Sequence, residues 1–177
     1  KRRMELALGT TDLDDIAAEI ADFIQPHIPS SLVGKLQLLP KLARLKNTQA
    51  KIVRHGPCQE IVETEAPSLA TLPIIKCWPN DGGKFITFPQ VITRHPELNT
   101  RNVGMYRLQV FDDTTLGLHW QRHKGGALHY NVAEKLNKRL EVAIVLGPDP
   151  ETMYSGTAPL PDEIDEFMLA VFLRRQS

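Results

Sequence analysis

The sequence predicts an α+β protein in which a small antiparallel barrel or sandwich is flanked by helices. Three observations favour this class. Apolar residues near the N-terminus follow a helical period, the chain from about Ile52 changes to short β-rich runs broken by glycine and proline, and two further helical patterns accompany these runs. Helices that are separate from short antiparallel strands are typical of α+β domains.

The first predicted helix runs over about residues 12–25. Thr11 and Asp12 supply an N-cap, and apolar residues recur behind them at helical spacing (Leu13, Ile16, Ala17, Ile20, Ala21 and Ile24). Two prolines then end the helix. A weaker pattern over residues 30–45 is interrupted by Pro40, which predicts two short helices or a helix and a loop.

Short β-rich runs follow, spaced as in a small antiparallel barrel or sandwich. They cover residues 60–64, 84–93, 104–112, 115–121 and 140–146. Two helices accompany them, one over residues 127–138 with Leu128, Val132 and Leu136 on one face, and one over residues 161–175. The last helix is apolar all round over residues 167–173, which predicts burial on every side.

The overall charge disfavours a nucleic-acid role. The chain has 177 residues, and its 21 Lys+Arg and 21 Asp+Glu cancel, so no net field attracts nucleic acid or an anionic membrane. The longest apolar run is far shorter than the ~20 residues that cross a bilayer, and no charged and then apolar leader opens the chain. We therefore expect a soluble, cytoplasmic protein.

The two cysteines and the two ends of the chain carry smaller indications. Cys58 and Cys77 lack the CxxC spacing of a zinc or redox pair, so we expect reduced, partly buried thiols. The chain starts at Lys1 rather than at Met and stops abruptly at Ser177. We therefore expect a segment of a longer protein.

A polar face is predicted on two neighbouring strands. Period-2 alternation puts Arg107 and Gln109 opposite Tyr106 and Leu108 on the first strand, and it repeats on the second. If the strands pair through the turn at residues 112–114, these side chains project from one side (Arg107, Gln109, His119 and Gln121). Such a face is either a binding floor or an ordinary solvent-exposed sheet face.

The segment after the second strand brings a histidine, a cation and two glycines to the start of a helix: His123, Lys124, Gly125 and Gly126. The free N–H groups and the dipole of a helix start favour an anion such as a phosphate. An alternative is a metal site formed by His119, His123 and His129, although a strand and a helix start separate these histidines.

Glu166 stands where the last helix turns from acidic to wholly apolar. A carboxylate at the edge of a buried helix needs a partner, either a metal ion or the arginine of an ordinary salt bridge. The segments 80–83 and 148–150 are interpreted as turns without chemistry.

Three ordered blocks of this sequence resemble the UbiD family of reversible decarboxylases, which includes the polyprenyl-hydroxybenzoate carboxy-lyases of quinone synthesis. The blocks cover residues 102–107, residues 119–127, and residues 146–150 continued through residues 159–162 to Glu166. The resemblance implies a flavin-reductase-like split antiparallel β-barrel with flanking helices. It also implies prenylated FMN, supplied by a separate flavin prenyltransferase. Residues 1–51 would then be the helical end of an N-terminal domain, and residues 52–177 a split-barrel domain truncated at its C-terminal end.

The resemblance assigns roles to individual residues. Asn102, His123 and Glu166 match the ligands of a divalent metal, usually Mn²⁺ with Mg²⁺ as the alternative, that holds the flavin phosphate. Mixed amide, imidazole and carboxylate ligands agree with that choice of metal. A monovalent cation is a further candidate. The positions that match cofactor-lining residues are Met105, Tyr106, Arg107, His119, Trp120, Gln121, Lys124 and Gly125.

The implied activity is decarboxylation of an aromatic or α,β-unsaturated carboxylic acid, in ubiquinone or menaquinone synthesis or with another acid. The flavin would add to the unsaturated bond, and Arg107 would hold the carboxylate. The family also needs a glutamate pair, which has no match here, so this chain is expected to be the cofactor-binding part. The apolar faces of the first 50 residues and of residues 167–173 predict large contacts with further or neighbouring chain, and we expect a homo-oligomer. The alternatives are a flavin-binding or flavin-reductase module without decarboxylase activity, and a metal hydrolase that uses the three histidines.

Overall fold

The computed structural model describes residues 1–24, 48–161 and 164–174 of the chain. In chain order the helices are α1 (Arg2–Ala7), α2 (Leu13–Ile24), α3 (Gly125–Lys135), α4 (Pro150–Ser155) and α5 (Glu166–Arg174). The strands are β1 (Phe85–Ile86), β2 (Gln90–Arg94), β3 (Arg101–Gly104), β4 (Leu108–Val110), β5 (Leu116–Leu118) and β6 (Val142–Val145). Two compact units result: Lys1–Lys51 with Pro148–Ser177, and Ile52–Gly147.

The first unit has a helical core in which α2 packs against α5. Its buried side chains are Ile16, Phe23, Leu169 and Leu173, and the rings of Phe23 and Phe172 have centroids 4.7 Å apart. The apolar stripe of α2 therefore packs as its period predicts, and the helix is confirmed. The short helix α1 was not predicted, and the expected helical segments at 30–45 lie outside the described residues.

The structure of the C-terminal part of this unit differs from three expectations. Residues 148–150 are not a simple turn, because Asp149 caps α4 by accepting the N–H of Thr152 at 3.0 Å. The last helix begins at Glu166, and the Asp165 carboxylate accepts the N–H of Phe167 at 2.8 Å. Burial of α5 is also one-sided, because Phe167, Met168 and Phe172 are only half-buried.

The second unit contains, within the described residues, two antiparallel three-stranded sheets with the orders β1-β4-β5 and β3-β2-β6. The predicted hairpin is confirmed, with Leu108 opposite Leu118 and Val110 opposite Leu116. Ile86, Val91, Tyr106 and Leu108 form the buried core of this unit. The mixture of helix and antiparallel sheet is as predicted, and the described strands do not form a closed barrel.

Several strand boundaries differ from the predicted ones. Residues 60–64 do not form a strand, and Ile61 is 90% exposed. The run 84–93 divides at the buried Pro89, which cannot donate to a ladder, into β1 and β2. The predicted strand at 104–112 is in fact the end of β3 and then β4, with irregular backbone over residues 105–107.

Helix α3 forms where expected but packs through a different face. Leu128 is 54% exposed, whereas Gly126, Ala127, His129 and Ala133 are buried. The predicted face of Leu128, Val132 and Leu136 is therefore wrong. Small residues face inward because the first turn of α3 lies directly against the side chains of Asn102 and Trp120.

Two findings concern the whole described chain. No helix in the described ranges is both long and apolar enough to cross a membrane. Cys58 and Cys77 are free thiols, and both are exposed rather than partly buried as expected.

Candidate functional site at the start of helix α3

Tyr106 ties the start of α3 to the strands. Its ring is buried, and its hydroxyl accepts the N–H of Gly126 at 3.0 Å and an N–H of the Asn102 amide at 3.4 Å. The ring also packs edge-on against Trp120, with centroids 4.9 Å apart. Three cofactor-site candidates from separate segments of the sequence are thus brought together in one cluster.

The two glycines at this helix start are required by close contacts. A Cβ on Gly125 would lie 2.0 Å from the Asn102 side-chain oxygen, and one on Gly126 would lie 2.1 Å from the Trp120 ring. These distances are far shorter than a non-bonded contact, so any larger residue would displace Asn102 or Trp120. The two glycines therefore let Asn102 and Trp120 pack directly against the backbone of the first turn.

His123 and Lys124 complete the cluster on its solvent side. Both side chains are exposed, and Lys124 occupies the N-cap position of α3 with extended backbone at φ −90° and ψ 148°. The Lys124 N–H donates to the Gln121 carbonyl at 3.0 Å, which fixes the turn before the helix. A helix start, an ammonium group and an imidazole together make a site with the chemistry of an anion receptor.

Asn102 and His123 are the two predicted metal ligands in the unit Ile52–Gly147. Asn102 lies on β3 opposite Thr93, and its side chain lies against Gly125. Glu166, the third predicted ligand, begins α5 in the other unit and already takes part in an interaction with the protein. The amide oxygen of Asn102 is the kind of ligand that Mn²⁺ accepts, and an imidazole is a ligand of many divalent metals, so the donor chemistry is compatible with a divalent cation.

Arg107 lies on the outer face of the β1-β4-β5 sheet. Its guanidinium carbon is 3.8 Å from the centroid of the Phe85 ring, and one terminal nitrogen is 3.6 Å from the Asp81 carboxylate. The Arg107 carbonyl accepts the N–H of His119 at 3.2 Å, which continues the β4–β5 pairing. Sequence reasoning missed both Asp81 and Phe85, because the segment 80–83 had been interpreted as a turn without chemistry.

The predicted polar floor is present in a modified form. Gln109 donates to the Gly82 carbonyl at 3.2 Å, so the loop before β1 reaches the row that contains Arg107 and Gln109. His119 and Gln121 remain exposed. The face therefore combines a cation, an amide and the ring of Phe85, a composition that can bind an unsaturated anion better than a plain polar surface can.

The three-histidine metal site does not form. His129 is buried, its Nδ1 lies 2.9 Å from the Thr93 hydroxyl, and its ring packs edge-on against His95 at 5.2 Å. Burial, and to a lesser extent the nearby His95, lowers the pKa of His129. No group of three His, Cys, Asp or Glu side chains within the described ranges is arranged to hold a metal. The hydrolase alternative therefore loses its site.

A family model and two relatives match this chain over most of its length. The model of the UbiD family, described as the 3-octaprenyl-4-hydroxybenzoate carboxy-lyase Rift-related domain, matches residues 51–177. An uncharacterised protein of Aquifex aeolicus is 46% identical over 96% of the chain and 35% of its own length. One of Archaeoglobus fulgidus is 46% identical over 99% of the chain and 36% of its own length.

Solved structures of decarboxylases are also similar. The UbiD-class enzyme HmfF from Pelotomaculum thermopropionicum, in complex with FMN, is 27% identical with a TM-score of 0.69, over 76% of this chain and 32% of that one. An evolved dimeric form of HmfF with prFMN is 30% identical with a TM-score of 0.64, over 68% and 28%. Vanillic acid decarboxylase from Sedimentibacter hydroxybenzoicus is 27% identical with a TM-score of 0.71, over 82% and 32%. The chain spans about a third of the length of the proteins it matches.

Proposed function

The chain belongs to the UbiD family, and from this membership we propose that it is the cofactor-binding part of a decarboxylase that uses prenylated FMN and a divalent metal ion. The similar structures include decarboxylases, and HmfF binds FMN in one of them and prFMN in another. Decarboxylation of an aromatic or α,β-unsaturated acid is the reaction we propose for the protein that contains this chain.

The observation that carries the proposal is the cluster at the start of α3. Gly125 and Gly126 have no room for a Cβ because Asn102 and Trp120 pack against them, and Lys124 and His123 flank the same turn. A flavin mononucleotide ends in a phosphate, which is the group that a helix start with a nearby cation binds best. The cluster thus supports binding of the phosphate end of the cofactor.

For the metal we propose Asn102, His123 and Glu166 as ligands, with Mn²⁺ preferred over Mg²⁺. A divalent ion bound by neutral and carboxylate groups would offset the charge of the phosphate. A monovalent cation is part of the same proposal. Tyr106 then acts as a positioning residue, because its hydroxyl bridges the Asn102 amide and the Gly126 N–H.

Arg107 is proposed to bind the substrate carboxylate. A guanidinium has five N–H donors and binds a carboxylate through two of them, which a lysine cannot do. The bound flavin supplies the electron sink for loss of carbon dioxide, and the protein orients the acid and stabilises its charge. Met105, His119, Trp120, Gln121 and Lys124 are proposed to line the cofactor.

Membership of the family also supports proposals for the fold, the assembly, the substrate and the cofactor supply of the whole protein. We propose a split antiparallel β-barrel formed with further chain, domains at residues 1–51 and 52–177, and a homo-oligomer in the cytoplasm. The substrate would be an aromatic acid, with ubiquinone or menaquinone synthesis as the proposed setting. A flavin prenyltransferase would supply the cofactor.

Cofactor retention tests the metal ligands. The full-length protein would be produced together with a flavin prenyltransferase, and metal and flavin would be counted per protein in Asn102→Ala and Glu166→Ala variants. We expect both variants to lose most of the metal and of the flavin, because each removes an oxygen ligand. The matched controls Asn131→Ala and Glu134→Ala change exposed positions of α3 and should retain both. Full flavin retention in both ligand variants would refute the assignment.

A further inference from the structure

We propose that Phe85 and Asp81 are positioning residues that hold the guanidinium of Arg107 in the orientation that binds a carboxylate. The inference rests on the proposed role of Arg107 and adds two residues to it. Both residues precede β4 in sequence by more than twenty positions, so only the fold brings them to Arg107. The three residues lie in the unit Ile52–Gly147.

Phe85 sets the plane of the guanidinium. Strand β1 pairs with β4 so that Phe85 is opposite Gln109, which directs the Phe85 ring to the same outer face as Arg107 and Gln109. The guanidinium carbon lies 3.8 Å from the ring centroid, close enough for stacking and for attraction to the ring quadrupole. Ile86, the next residue, points into the core, and its burial anchors β1.

Asp81 sets the direction of the guanidinium within that plane. Its carboxylate lies 3.6 Å from one terminal nitrogen of Arg107 and also accepts the N–H of Trp78 at 3.1 Å. The loop that carries Asp81 is itself fixed, because Gln109 donates to the Gly82 carbonyl and Phe85 donates to the Ile75 carbonyl. Asp81 is therefore held in place before it meets Arg107.

The arrangement leaves donors free for a ligand. The Arg107 side chain retains 40% of its exposure, and the contact with Asp81 involves one of its terminal nitrogens. A free arginine side chain loses rotamer entropy when it is immobilised. A guanidinium already held by a ring and a carboxylate has lost part of that freedom before a ligand arrives, so a carboxylate binds it more tightly.

Benzoate binding tests the inference. Benzoate would be titrated calorimetrically into the full-length protein loaded with its cofactor, for wild type, Phe85→Leu, Arg107→Met and the double variant. We expect Phe85→Leu to weaken binding by about three- to fivefold, because the ligand must then immobilise a guanidinium that the ring no longer holds. In the Arg107→Met background the same substitution should have no further effect, because a positioning residue acts only through the arginine.

Two controls separate positioning from general damage. Phe85→Tyr retains the ring face and should bind benzoate within about twofold of wild type. Phe111→Leu removes another ring of the same sheet, which is 63% exposed and lies against Gly117, and it should also bind normally. Equal losses in Phe85→Leu and Phe111→Leu would overturn the assignment to Phe85.

The sign of the Asp81→Ala effect is decisive for Asp81. Removing a carboxylate near an anion site strengthens anion binding if the carboxylate acts only through its charge. Loss of the guanidinium orientation weakens anion binding instead, so we expect Asp81→Ala to bind benzoate more weakly. The control Asp113→Ala changes an exposed residue of the β4–β5 turn and should bind benzoate as wild type does. Tighter binding by Asp81→Ala would overturn its role.

The proposed function and the inference fail in different ways. If Arg107→Met binds benzoate as well as wild type does, the carboxylate role of Arg107 is wrong, and the positioning role is wrong with it. If Arg107→Met weakens binding measurably and Phe85→Leu costs the same in both backgrounds, only the inference is overturned, because Phe85 then contacts the ligand independently of the arginine.

Discussion

Gly125 shows how one residue without a side chain supports the candidate site. Its backbone lies so close to the Asn102 amide that an added Cβ would be 2.0 Å from the side-chain oxygen. The Asn102 amide nitrogen donates to the Tyr106 hydroxyl at 3.4 Å, which fixes the position of the side chain. A Cβ on Gly125 would displace Asn102 from that position. The glycine is required for the position of a proposed metal ligand and not only for a turn.

The substitution Gly125→Ala tests this requirement. The methyl group must displace Asn102, which we expect to reduce metal and flavin retention at least severalfold and to cost about 1–3 kcal/mol of folding stability, as overpacking does. Metal content, flavin absorbance and urea unfolding measure the three effects. Gly56→Ala is the matched control, because its Cβ would lie at an ordinary contact distance, 3.7 Å, from the Cys58 sulfur. Wild-type retention by Gly125→Ala would refute the argument.

Among the elements, the short helix α4 depends on a single cap. Asp149 accepts the N–H and the hydroxyl of Thr152, and it also pairs with Arg174 at the end of α5. Burial raises the pKa of Asp149, but the hydrogen bonds from Arg174 and Thr152 outweigh it and hold the pKa well below its ordinary 3.8. The ionised carboxylate is thus the form that stabilises the fold.

Asp149 variants should differ in how their stability depends on pH. Because the folded pKa is lowered, the charge stabilises the fold fully above about pH 4, and this contribution declines progressively as the pH falls from 3.8 towards the lowered pKa of the folded state. We expect Asp149→Ala to cost about 1–2 kcal/mol at pH 7, the usual range for an N-cap, and Asp149→Asn to cost less because it still caps. Urea unfolding at pH 7 and pH 3 measures both. An unchanged difference between wild type and Asp149→Asn at pH 3 would contradict the charge argument.

Helices with a regular apolar stripe could be predicted from the sequence, and strands without a fixed partner could not. The stripe of α2 is a local signal, and its bounds were found to within a residue or so. Residues 60–64 carry the same β-branched composition as true strands, but no strand pairs with them in the described structure. Pairing is a tertiary property, so composition alone cannot decide it.

Some residues of the candidate site could be predicted from the sequence, and others could not. The family resemblance predicted Asn102 and Tyr106, strand alternation predicted the exposed Arg107, and helix chemistry predicted the start of α3; their functional roles stay predictions. Sequence reasoning missed Asp81 and Phe85, since a turn and a two-residue strand give no local sign of which distant side chain they will meet. It also misjudged the inward face of α3, where a close approach selected small residues over leucines.

At the scale of the whole molecule, the unit Ile52–Gly147 carries the phosphate-binding and carboxylate-binding residues of the proposal. The start of α3 and Arg107 are connected through the β4–β5 hairpin and through the contact between the Tyr106 and Trp120 rings. The chain spans about a third of the length of the proteins it matches, and in the proposal its residues serve cofactor binding and one part of catalysis.

The mass of the bound flavin tests the central claim most directly. The full-length protein would be produced together with a flavin prenyltransferase and purified, and the released flavin would be identified by mass spectrometry. The account predicts prenylated FMN at close to one per protein, together with Mn²⁺. Ordinary FMN bound under the same conditions, with NADH-dependent turnover and no carbon dioxide released from aromatic acids, would contradict it and identify a flavin-reductase module.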